Sequence, residues 1–338
     1  MGAGRGTPCR RSAGRTLLSF TLGSLNVLGS IITVFITLVF NVRPLVLLAF
    51  ATVYVVWGST YLAIRFGIET IPPFFMAGVR FCIGGSLFIG WAIARGAKLP
   101  SNSLWRSAAL VGVLMVAGGT GGVTWSEQFV PSGLTALLIA MVPLWIVLID
   151  WARPGGSNPG STVFFGLVIG LAGMTLLVNP VAVGGVREIN PGGALALVFA
   201  TLSWATGSVY SRHARQSSSQ TITVGMQMVS GGVTLLCMST ISGELSQVDL
   251  ARISWRSVMA VAYLIGPGSL AYAAYLFLLR ASTPTKAATY AYVNPIIALV
   301  LGAVIGGEQV SAWTLLCSAV IITGVVVIVT AKGRAVSS

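Results

Sequence analysis

Charged side chains are scarce in this 338-residue chain, where Asp, Glu, Lys and Arg together make up 8%. Soluble globular proteins carry about 25% of these residues. Hydrophobic residues reach 55%, and the mean hydropathy is +0.89. This leaves too little polar surface to keep a folded globule of this size in water. Lipid is the solvent that fits the composition, and the backbone must then satisfy itself as helix or closed barrel.

Residues for metal, disulfide or nucleotide chemistry are also few. The chain has one histidine, His213, and four cysteines without paired spacing. Cys82, Cys237 and Cys317 lie inside apolar runs, which favours a role as small core residues. The sequence has no Gly-Lys-Ser/Thr loop to cradle phosphates. We therefore predict no metal site, no cofactor, no ATP hydrolysis and no catalytic residues.

The apolar residues form runs about 20 residues long, which is the length of a membrane-spanning helix rather than of a barrel strand. Pro, Gly or charge marks nearly every gap between the runs, and no gap could hold a soluble domain. The pattern predicts an all-α membrane protein with ten spans, at approximately 44–64, 72–94, 104–125, 131–151, 162–180, 192–211, 221–242, 256–279, 285–306 and 311–331.

The basic residues predict how these spans are oriented. The net charge is +13, but Lys and Arg are scattered in short gaps, which favours membrane topology over nucleic-acid binding. With the residue before the first span in the cytoplasm, eleven Lys and Arg fall on the cytoplasmic side and four on the other. The positive-inside bias predicts that both ends of the ten-span core are cytoplasmic.

Residues 1–43 fit this scheme poorly. Residues 17–40 are apolar enough for an additional span, but the four arginines before them would invert the core. Three interpretations are open: an eleventh span with its N-terminus outside, a cleaved leader, or an extension from an upstream start site. The leader is disfavoured because its apolar stretch is long and no small-residue cleavage site is obvious. We favour a dispensable extension.

The two halves of the core resemble each other. Trp57-Gly-Ser-Thr-Tyr61 in the first span matches Trp204-Ala-Thr-Gly-Ser208 in the sixth, 147 positions later. Pro143 in the fourth span likewise matches Pro295 in the ninth. Five spans per half send the second copy into the membrane from the opposite side. This predicts two inverted five-helix repeats, at 44–182 and 190–332, with a substrate site where they meet.

Several segments carry a resemblance to a known family. They are Trp57-Gly-Ser-Thr-Tyr-Leu-Ala-Ile-Arg65, Pro72-Pro-Phe-Phe-Met-Ala-Gly-Val-Arg-Phe81, and Ala291-Tyr-Val-Asn-Pro-Ile-Ile-Ala298 with Gly306-Gly-Glu308 after it. Over roughly residues 44–332 the chain resembles an EamA-type permease of the drug/metabolite transporter superfamily. The resemblance implies a ten-span carrier of the bacterial inner membrane that exports amino acids or other small metabolites. Only the second repeat has the acidic turn, because Gly156 stands at the matching distance from Pro143.

Intramembrane ionisable residues are costly and therefore candidates for function. Arg80 lies inside the second span, where it could be the counter-charge for an anionic group of the substrate. The alternative, which we favour from the sequence, is a structural arginine that snorkels outward or pairs with Glu69 or Glu127. Glu127, at the end of the third span, could bind a proton or cation. A solvated loop residue is the favoured interpretation for it.

Aromatic and polar residues of the spans could line a substrate cavity, although several must instead anchor the chain at the membrane interface. The candidate substrate-binding residues, besides Arg80, are Trp57, Tyr61, Trp125, Trp204, Tyr272, Tyr275, Tyr290 and Asn294, and Tyr292 could line the cavity as well. Prolines within spans free a backbone carbonyl and bend the helix. The candidate bends and hinges are Pro143, Gly266, Pro267, Gly268 and Pro295.

Three classes of function are compared. The first is a secondary transporter that exports a small metabolite by alternating access, driven by the substrate gradient or by a coupling proton or cation. The second is an intramembrane enzyme, which would need clustered acids, histidines or a Ser/Lys pair within the spans. The third is a channel or receptor, but no filter sequence or polar stripe is visible. We predict a transporter that is not an enzyme. Its substrate, coupling ion and oligomeric state are left open.

Overall fold

The computed structural model describes residues 44–98, 100–153, 160–178, 190–212, 214, 215, 217, 219–281, 287 and 290–335. Two compact units divide the chain, residues 1–48 and 49–338. Residues 44–48 are the described part of the first unit and open a helix. The predicted N-terminal extension, residues 1–43, lies outside the described residues, as does His213.

The described residues form ten helices, in the order that the apolar runs predict, and no strand occurs among them. Two short 3₁₀ turns, Glu244–Gln247 and Leu250–Arg252, follow the seventh helix. The helices are α1 (Pro44–Gly67), α2 (Pro73–Ala94), α3 (Asn102–Ser126), α4 (Ser132–Ala152), α5 (Ser161–Val178), α6 (Pro191–Ser211), α7 (Gln220–Ile241), α8 (Trp255–Ala281), α9 (Tyr290–Val304) and α10 (Ala312–Ala335). The ten-helix prediction is confirmed.

Seven of the ten helices are long and apolar enough to cross a membrane, namely α1–α4 and α6–α8. The other three carry shorter apolar stretches, at Ser161–Gly170, Val293–Val304 and Leu315–Gly324. Large apolar side chains such as Leu87 and Phe199 are exposed on the helices. Such exposure would be costly in water and is ordinary against lipid tails. The architecture is therefore that of a polytopic membrane protein.

Helices begin in the short segments that separate the apolar runs. Proline occupies the first turn of α2 and α6, where its missing N–H leaves no hydrogen bond unmade. Before α6, the Asn190 side chain accepts a hydrogen bond from the Gly193 backbone nitrogen at 3.1 Å. Ser254 caps α8 in the same way by accepting from the Ser257 nitrogen. Gap composition thus fixes where each span begins.

Glycines bring α2 and α7 together in an arrangement that repeats itself. A Cβ on Gly85 would lie 2.8 Å from the Gly225 carbonyl oxygen, and one on Gly225 would meet the Gly85 carbonyl at the same distance. A Cβ on Gly232 would likewise lie 3.0 Å from the Gly78 carbonyl oxygen. Gly225 and Gly232 are the positions 147 residues after Gly78 and Gly85. Each contact is therefore the image of the other, as two antiparallel repeats related by a pseudo-twofold axis require.

Three helices depart from regular α geometry near their middle. Gly112–Gly121 of α3 and Leu264–Gly268 of α8 are π-helical, and these are the third helices of their repeats. The fourth helix, α4, is interrupted at Ala140 and Met141 and restarts at Val142 and Pro143. Its counterpart α9 stays helical across Pro295. Irregular backbone at membrane depth is tolerated where it is buried in protein or lines a cavity.

Candidate functional site

Aromatic side chains from both repeats meet in one cluster. The rings of Trp57 and Trp204, which are equivalent in the two repeats, pack edge to face with centroids 5.4 Å apart. Tyr275 contacts both, at 4.9 Å from Trp57 and 5.6 Å from Trp204. Tyr290 packs on Trp57 at 5.2 Å, and Tyr272 packs on Trp204 at 6.1 Å. Helices α1, α6, α8 and α9 are thereby joined through their predicted site residues.

A cavity borders this cluster. It encloses about 670 Å³ of empty space, part of it open to the surroundings. Both repeats supply its walls, which are largely apolar and aromatic with a few polar groups, as is usual for small-molecule sites. The lining residues are Trp57, Thr60, Tyr61, Ile64, Arg80, Phe81, Gly119, Thr120, Val123, Ile139, Val142, Ala200, Trp204, Gly268, Tyr272 and Tyr290.

Arg80 is the charged residue of that lining. It is only 4% exposed, and its guanidinium carbon lies 4.4 Å from the centroid of the Phe81 ring, a cation–π distance. Its Nε has no hydrogen-bond partner. The expectation that Arg80 snorkels outward is wrong, because the side chain is enclosed by the helices around the cavity. Glu69, one expected partner, instead pairs with Arg256 at 3.3 Å.

Glu127 follows α3 by one residue and is completely buried. The expectation of a solvated loop residue is therefore wrong. The chain continues directly into Pro131 and α4, and Arg65 of α1 closes over the turn by donating from Nη1 to the Glu127 carbonyl oxygen at 2.6 Å. Neither carboxylate oxygen of Glu127 has a hydrogen-bond partner. A buried acid in this state is a candidate functional group.

Hydrogen bonds fix the hydroxyl groups around the cavity. Tyr272 donates its hydroxyl to Gln227 Oε1 of α7 at 3.0 Å, and the Tyr275 hydroxyl lies 3.1 Å from Ser208 Oγ. Asn294, oriented so that its amide nitrogen donates, reaches the backbone carbonyls of Tyr290 at 3.3 Å and Tyr54 at 3.2 Å. Its side chain therefore ties α9 to α1 and is not part of the cavity wall.

The other predicted residues divide between wall and support. Trp125 is not in the lining but packs against Phe129 at 5.0 Å, because it lies on the other face of α3 from Thr120 and Val123. Tyr275 belongs to the aromatic cluster without lining the cavity. Of the predicted hinge residues, Gly268 reaches the cavity wall. The Tyr292 side chain lies outside the described part of the structure.

Sequence reasoning missed several lining residues. Phe81 ends one of the segments that carry the family resemblance but was not selected as a site residue, and Thr120, Ile139 and Val142 have the composition of ordinary span residues. Phe81 could have been found from its place beside Arg80, and Ile139 and Val142 from their place beside the interruption before Pro143. Among the residues that the structure describes, no group of three His, Cys, Asp or Glu side chains could hold a metal ion.

A second, smaller pocket lies beyond Tyr272 and Tyr275. It holds about 280 Å³ of empty space between the ends of α6, α7 and α8, and Arg212, Arg280 and Gln227 are in its wall. Gln227 therefore faces this pocket while bonding to Tyr272 of the first cavity. The hydrogen-bonded pair Tyr272–Gln227 stands between the two spaces.

The sequence also matches a model of a known family in both halves. The family is described as the EamA-like transporter family, and the match covers residues 43–179 and again 191–330. The chain belongs to this family. The two matches agree with the twofold arrangement of helices, and the residues that line the cavity come from both matched regions.

Individual relatives of similar sequence are also named as transporters. The "Uncharacterized inner membrane transporter YedA" of Escherichia coli (strain K12) is 40% identical over 291 residues, 84% of this chain and 90% of YedA. The "Uncharacterized transporter YvbV" of Bacillus subtilis (strain 168) is 25% identical over 87% of this chain and 93% of its own length. One solved crystal structure superimposes with a TM-score of 0.61 at 22% identity, covering 85% of this chain and 97% of the other. That likeness shows the fold alone.

The family and its relatives indicate the general function and location of this protein. EamA-like proteins are transporters, and a relative named as an inner membrane transporter covers most of the chain. This protein is therefore a multi-pass membrane transporter of the inner-membrane type, which acts on a small molecule in a lipid environment.

Proposed function

We propose that the protein is a secondary transporter that carries an amino acid or a similar small carboxylate by alternating access. The observation that supports this most is the cavity between the repeats, with one buried guanidinium in an otherwise apolar and aromatic wall. A substrate carboxylate would pair with Arg80. Its apolar or aromatic part would lie against Trp57, Trp204 and Tyr272.

Alternating access needs helices that bend beside the bound substrate. The irregular segments of this chain lie at that place, because Gly119 and Thr120 of the α3 π-helix and Gly268 of the α8 π-helix line the cavity. Ile139 and Val142 flank the interruption of α4 and line it too. We propose that the repeats rock around the cavity by changing the bend at these segments.

The substrate gradient or a coupling ion would supply the energy, since the sequence has no phosphate-binding loop. Both ends of the ten-helix core would face the cytoplasm, in accordance with the positive-inside bias. The export direction expected from the family resemblance stays a prediction. An intramembrane enzyme and a channel are the competing functions, and the cavity wall favours neither, because it presents one lone cation rather than a group of acids, histidines or a polar stripe.

Uptake into proteoliposomes tests the proposal. The full chain is reconstituted and offered a panel of radiolabelled amino acids, together with the amine that each would become without its carboxylate. We expect saturable uptake of at least one amino acid and little uptake of its matched amine. Saturable uptake of the amines alone would contradict a carboxylate substrate, and non-saturating flux of all compounds would favour a channel.

A further inference from the structure

Four charged side chains approach one another at the C-terminal end of α3. Arg65 comes from the end of α1, Arg80 from α2, Glu127 from the turn after α3, and Glu308 from the connection between α9 and α10. Glu127 interacts electrostatically with the other three. Both repeats therefore contribute to this charged cluster, which borders the cavity at Arg80.

Two members of the charged cluster have hydrogen-bond partners. Arg65 donates to the Glu127 carbonyl oxygen at 2.6 Å. Glu308 accepts three hydrogen bonds at the start of α4, from Ser132 N at 2.8 Å, Ser132 Oγ at 2.6 Å and Gly133 N at 3.1 Å. These three bonds place the Glu308 carboxylate at the N-terminus of α4, where a helix favours negative charge.

In the other two members, Glu127 and Arg80, buried polar atoms lack hydrogen-bond partners. Glu127 is fully buried with no partner for either carboxylate oxygen, and Arg80 is 4% exposed with no partner for Nε. Among the described residues the two form no direct ion pair, so each compensates the other's charge only through space. An ionised carboxylate without a donor is expensive to bury, and binding a proton removes that cost.

Among the described residues, the charged groups that act on Glu127 are Glu308, Arg65 and Arg80. Besides Arg65, α1 presents the Tyr61 hydroxyl, which interacts electrostatically with Glu127. Helices α4 and α6 also adjoin this end of α3, but their titratable residues, Asp150 and Tyr210, are at the opposite ends of those helices. The groups that face Glu127 among the described residues are thus Arg65, Arg80, Glu308 and Tyr61.

We propose that Glu127 is the proton-binding site of this carrier, and that its proton decides whether Arg80 can hold a carboxylate in the cavity. This inference rests on the proposed transport function. With Glu127 ionised, its charge compensates Arg80, and an anionic group is attracted weakly. A proton from water converts Glu127 to the neutral acid, which leaves Arg80 as an uncompensated cation that a substrate carboxylate then neutralises.

The charge balance fixes the direction of coupling. One proton and one carboxylate-bearing molecule occupy the same state of the protein, and both leave on the other side, where Glu127 returns to the carboxylate. Proton and substrate therefore cross together. Exchange of a proton for the substrate in opposite directions would require protonation to weaken binding, which is the reverse of what the Arg80–Glu127 pair provides.

Infrared difference spectroscopy of the reconstituted full chain between acid and alkaline pH tests the site, with protons and deuterons as the probe. Glu244 is the matched control. It is the other buried acid among the described residues, and burial raises the pKa of its carboxyl although it accepts a hydrogen bond from Phe75 N at 3.0 Å. We expect Glu127→Gln to remove one titrating carbonyl band of a protonated carboxyl. A different band is expected to disappear in Glu244→Gln.

A conservative variant controls for misfolding of Glu127→Gln. Glu127→Asp keeps a carboxyl at this position and should keep a titrating band, shifted in frequency. Identical difference spectra for the wild type and Glu127→Gln, with both proteins monodisperse, would overturn the proposal.

A transport measurement tests the coupling separately. Radiolabelled L-phenylalanine enters liposomes under a pH gradient imposed in either direction. An acidic outer medium should accelerate uptake by the wild type and Glu244→Gln, and this acceleration should be lost in Glu127→Gln. Acceleration by an acidic lumen instead would overturn joint movement of proton and substrate. If the wild type transports no panel compound, the proposed function fails, whereas the infrared titration still decides whether Glu127 binds the proton.

Discussion

The two repeats share a scaffold but bring different chemistry to the cavity. The first repeat supplies Arg80, and the position 147 residues later in the second repeat is Gln227. Trp57 and Trp204 have the same separation and are the same residue type. Aromatic packing is therefore kept in both repeats, while the charged residue of the cavity lining comes from the first. The difference teaches that the substrate cavity is asymmetric although its frame is symmetric.

The backbone geometry also differs between the two repeats. The π-helical segment of α3 has 10 residues and is rich in glycine, whereas that of α8 has 5 residues and contains Pro267. The break in α4 has no counterpart in α9, which continues through Pro295. Two equivalent prolines thus give two different local structures. Such unequal bending of equivalent helices is compatible with the rocking of one repeat against the other that we propose.

Making the second helices of the repeats chemically alike should have the largest effect. Arg80→Gln installs in α2 the residue type of Gln227 and removes the buried cation. A hydrogen bond to a charged group contributes about 1.5–3 kcal/mol. We expect KM for a transported amino acid to rise about 10- to 150-fold, measured by initial uptake rates in proteoliposomes.

The control for this change is Arg256→Gln, because Arg256 is a half-exposed arginine in a surface pair with Glu69. Its uptake kinetics should match the wild type. Equal kinetics for Arg80→Gln and Arg256→Gln would contradict a substrate role for Arg80.

Breaking the symmetric glycine contact between α2 and α7 should come next. Gly85→Val places side-chain atoms against the Gly225 carbonyl, where a Cβ alone would be 2.8 Å away. Overpacking of this kind costs about 1–3 kcal/mol. We expect a lower Tm in detergent.

Gly90→Val is the matched control on the same helix, since nothing lies within 4 Å of a Cβ there. It should leave Tm close to the wild-type value. A Tm for Gly85→Val as high as that of Gly90→Val would mean that the glycine contact is not needed.

Removing the acidic side chain of the turn in the second repeat, Glu308, should have a smaller effect. Glu308→Ala removes the acceptor for Ser132 and Gly133 at the start of α4. Loss of a helix cap costs about 0.5–2 kcal/mol. We expect a modest fall in Tm, while Glu69→Ala, which breaks an exposed pair, should change it less. A larger fall for Glu69→Ala would show that the Glu308 contact does not stabilise the protein.

The smallest effect should follow from Tyr272→Phe, which leaves the oxygen of Gln227 without its donor. The expected cost is about 1 kcal/mol, read as a small fall in Tm. Tyr210→Phe, at an exposed position on α6, should cost nothing measurable. No difference between the two variants would show that water replaces the Tyr272 hydroxyl.

The ten helices could be predicted because each span is a long, largely apolar run, and Pro, Gly or charge marks nearly every gap between the runs. The contact between Trp57 and Trp204 could also be anticipated, since equivalent positions of two inverted repeats meet where they lie close to the axis that relates the repeats. The burial of Glu127 was not, because an acid between an apolar run and Pro131 has the composition of a loop. Contacts far along the chain enclose this turn, such as the hydrogen bond from Arg65, 62 residues away.

The π-helical segments were also beyond the sequence pattern. Five glycines in α3 between Gly112 and Gly122 are compatible with a regular helix. The departure from regular helix geometry accompanies the close approach of α7 and α6 rather than a feature of the local sequence. Cβ atoms on Gly112 and Gly119 would meet Gln227 of α7 and Trp204 of α6. Residues such as Phe81 escape prediction for the same reason, because lining a cavity is decided by neighbouring helices.

Counterflow tests the central claim most directly, namely that a carrier site with one essential cation lies between the repeats. Liposomes containing the wild type are loaded with unlabelled L-phenylalanine and given a trace of labelled L-phenylalanine outside. A transient overshoot of label is predicted for the wild type, but not for Arg80→Gln and not after loading with phenethylamine. An overshoot of equal size in Arg80→Gln, or after loading with phenethylamine, would contradict the account.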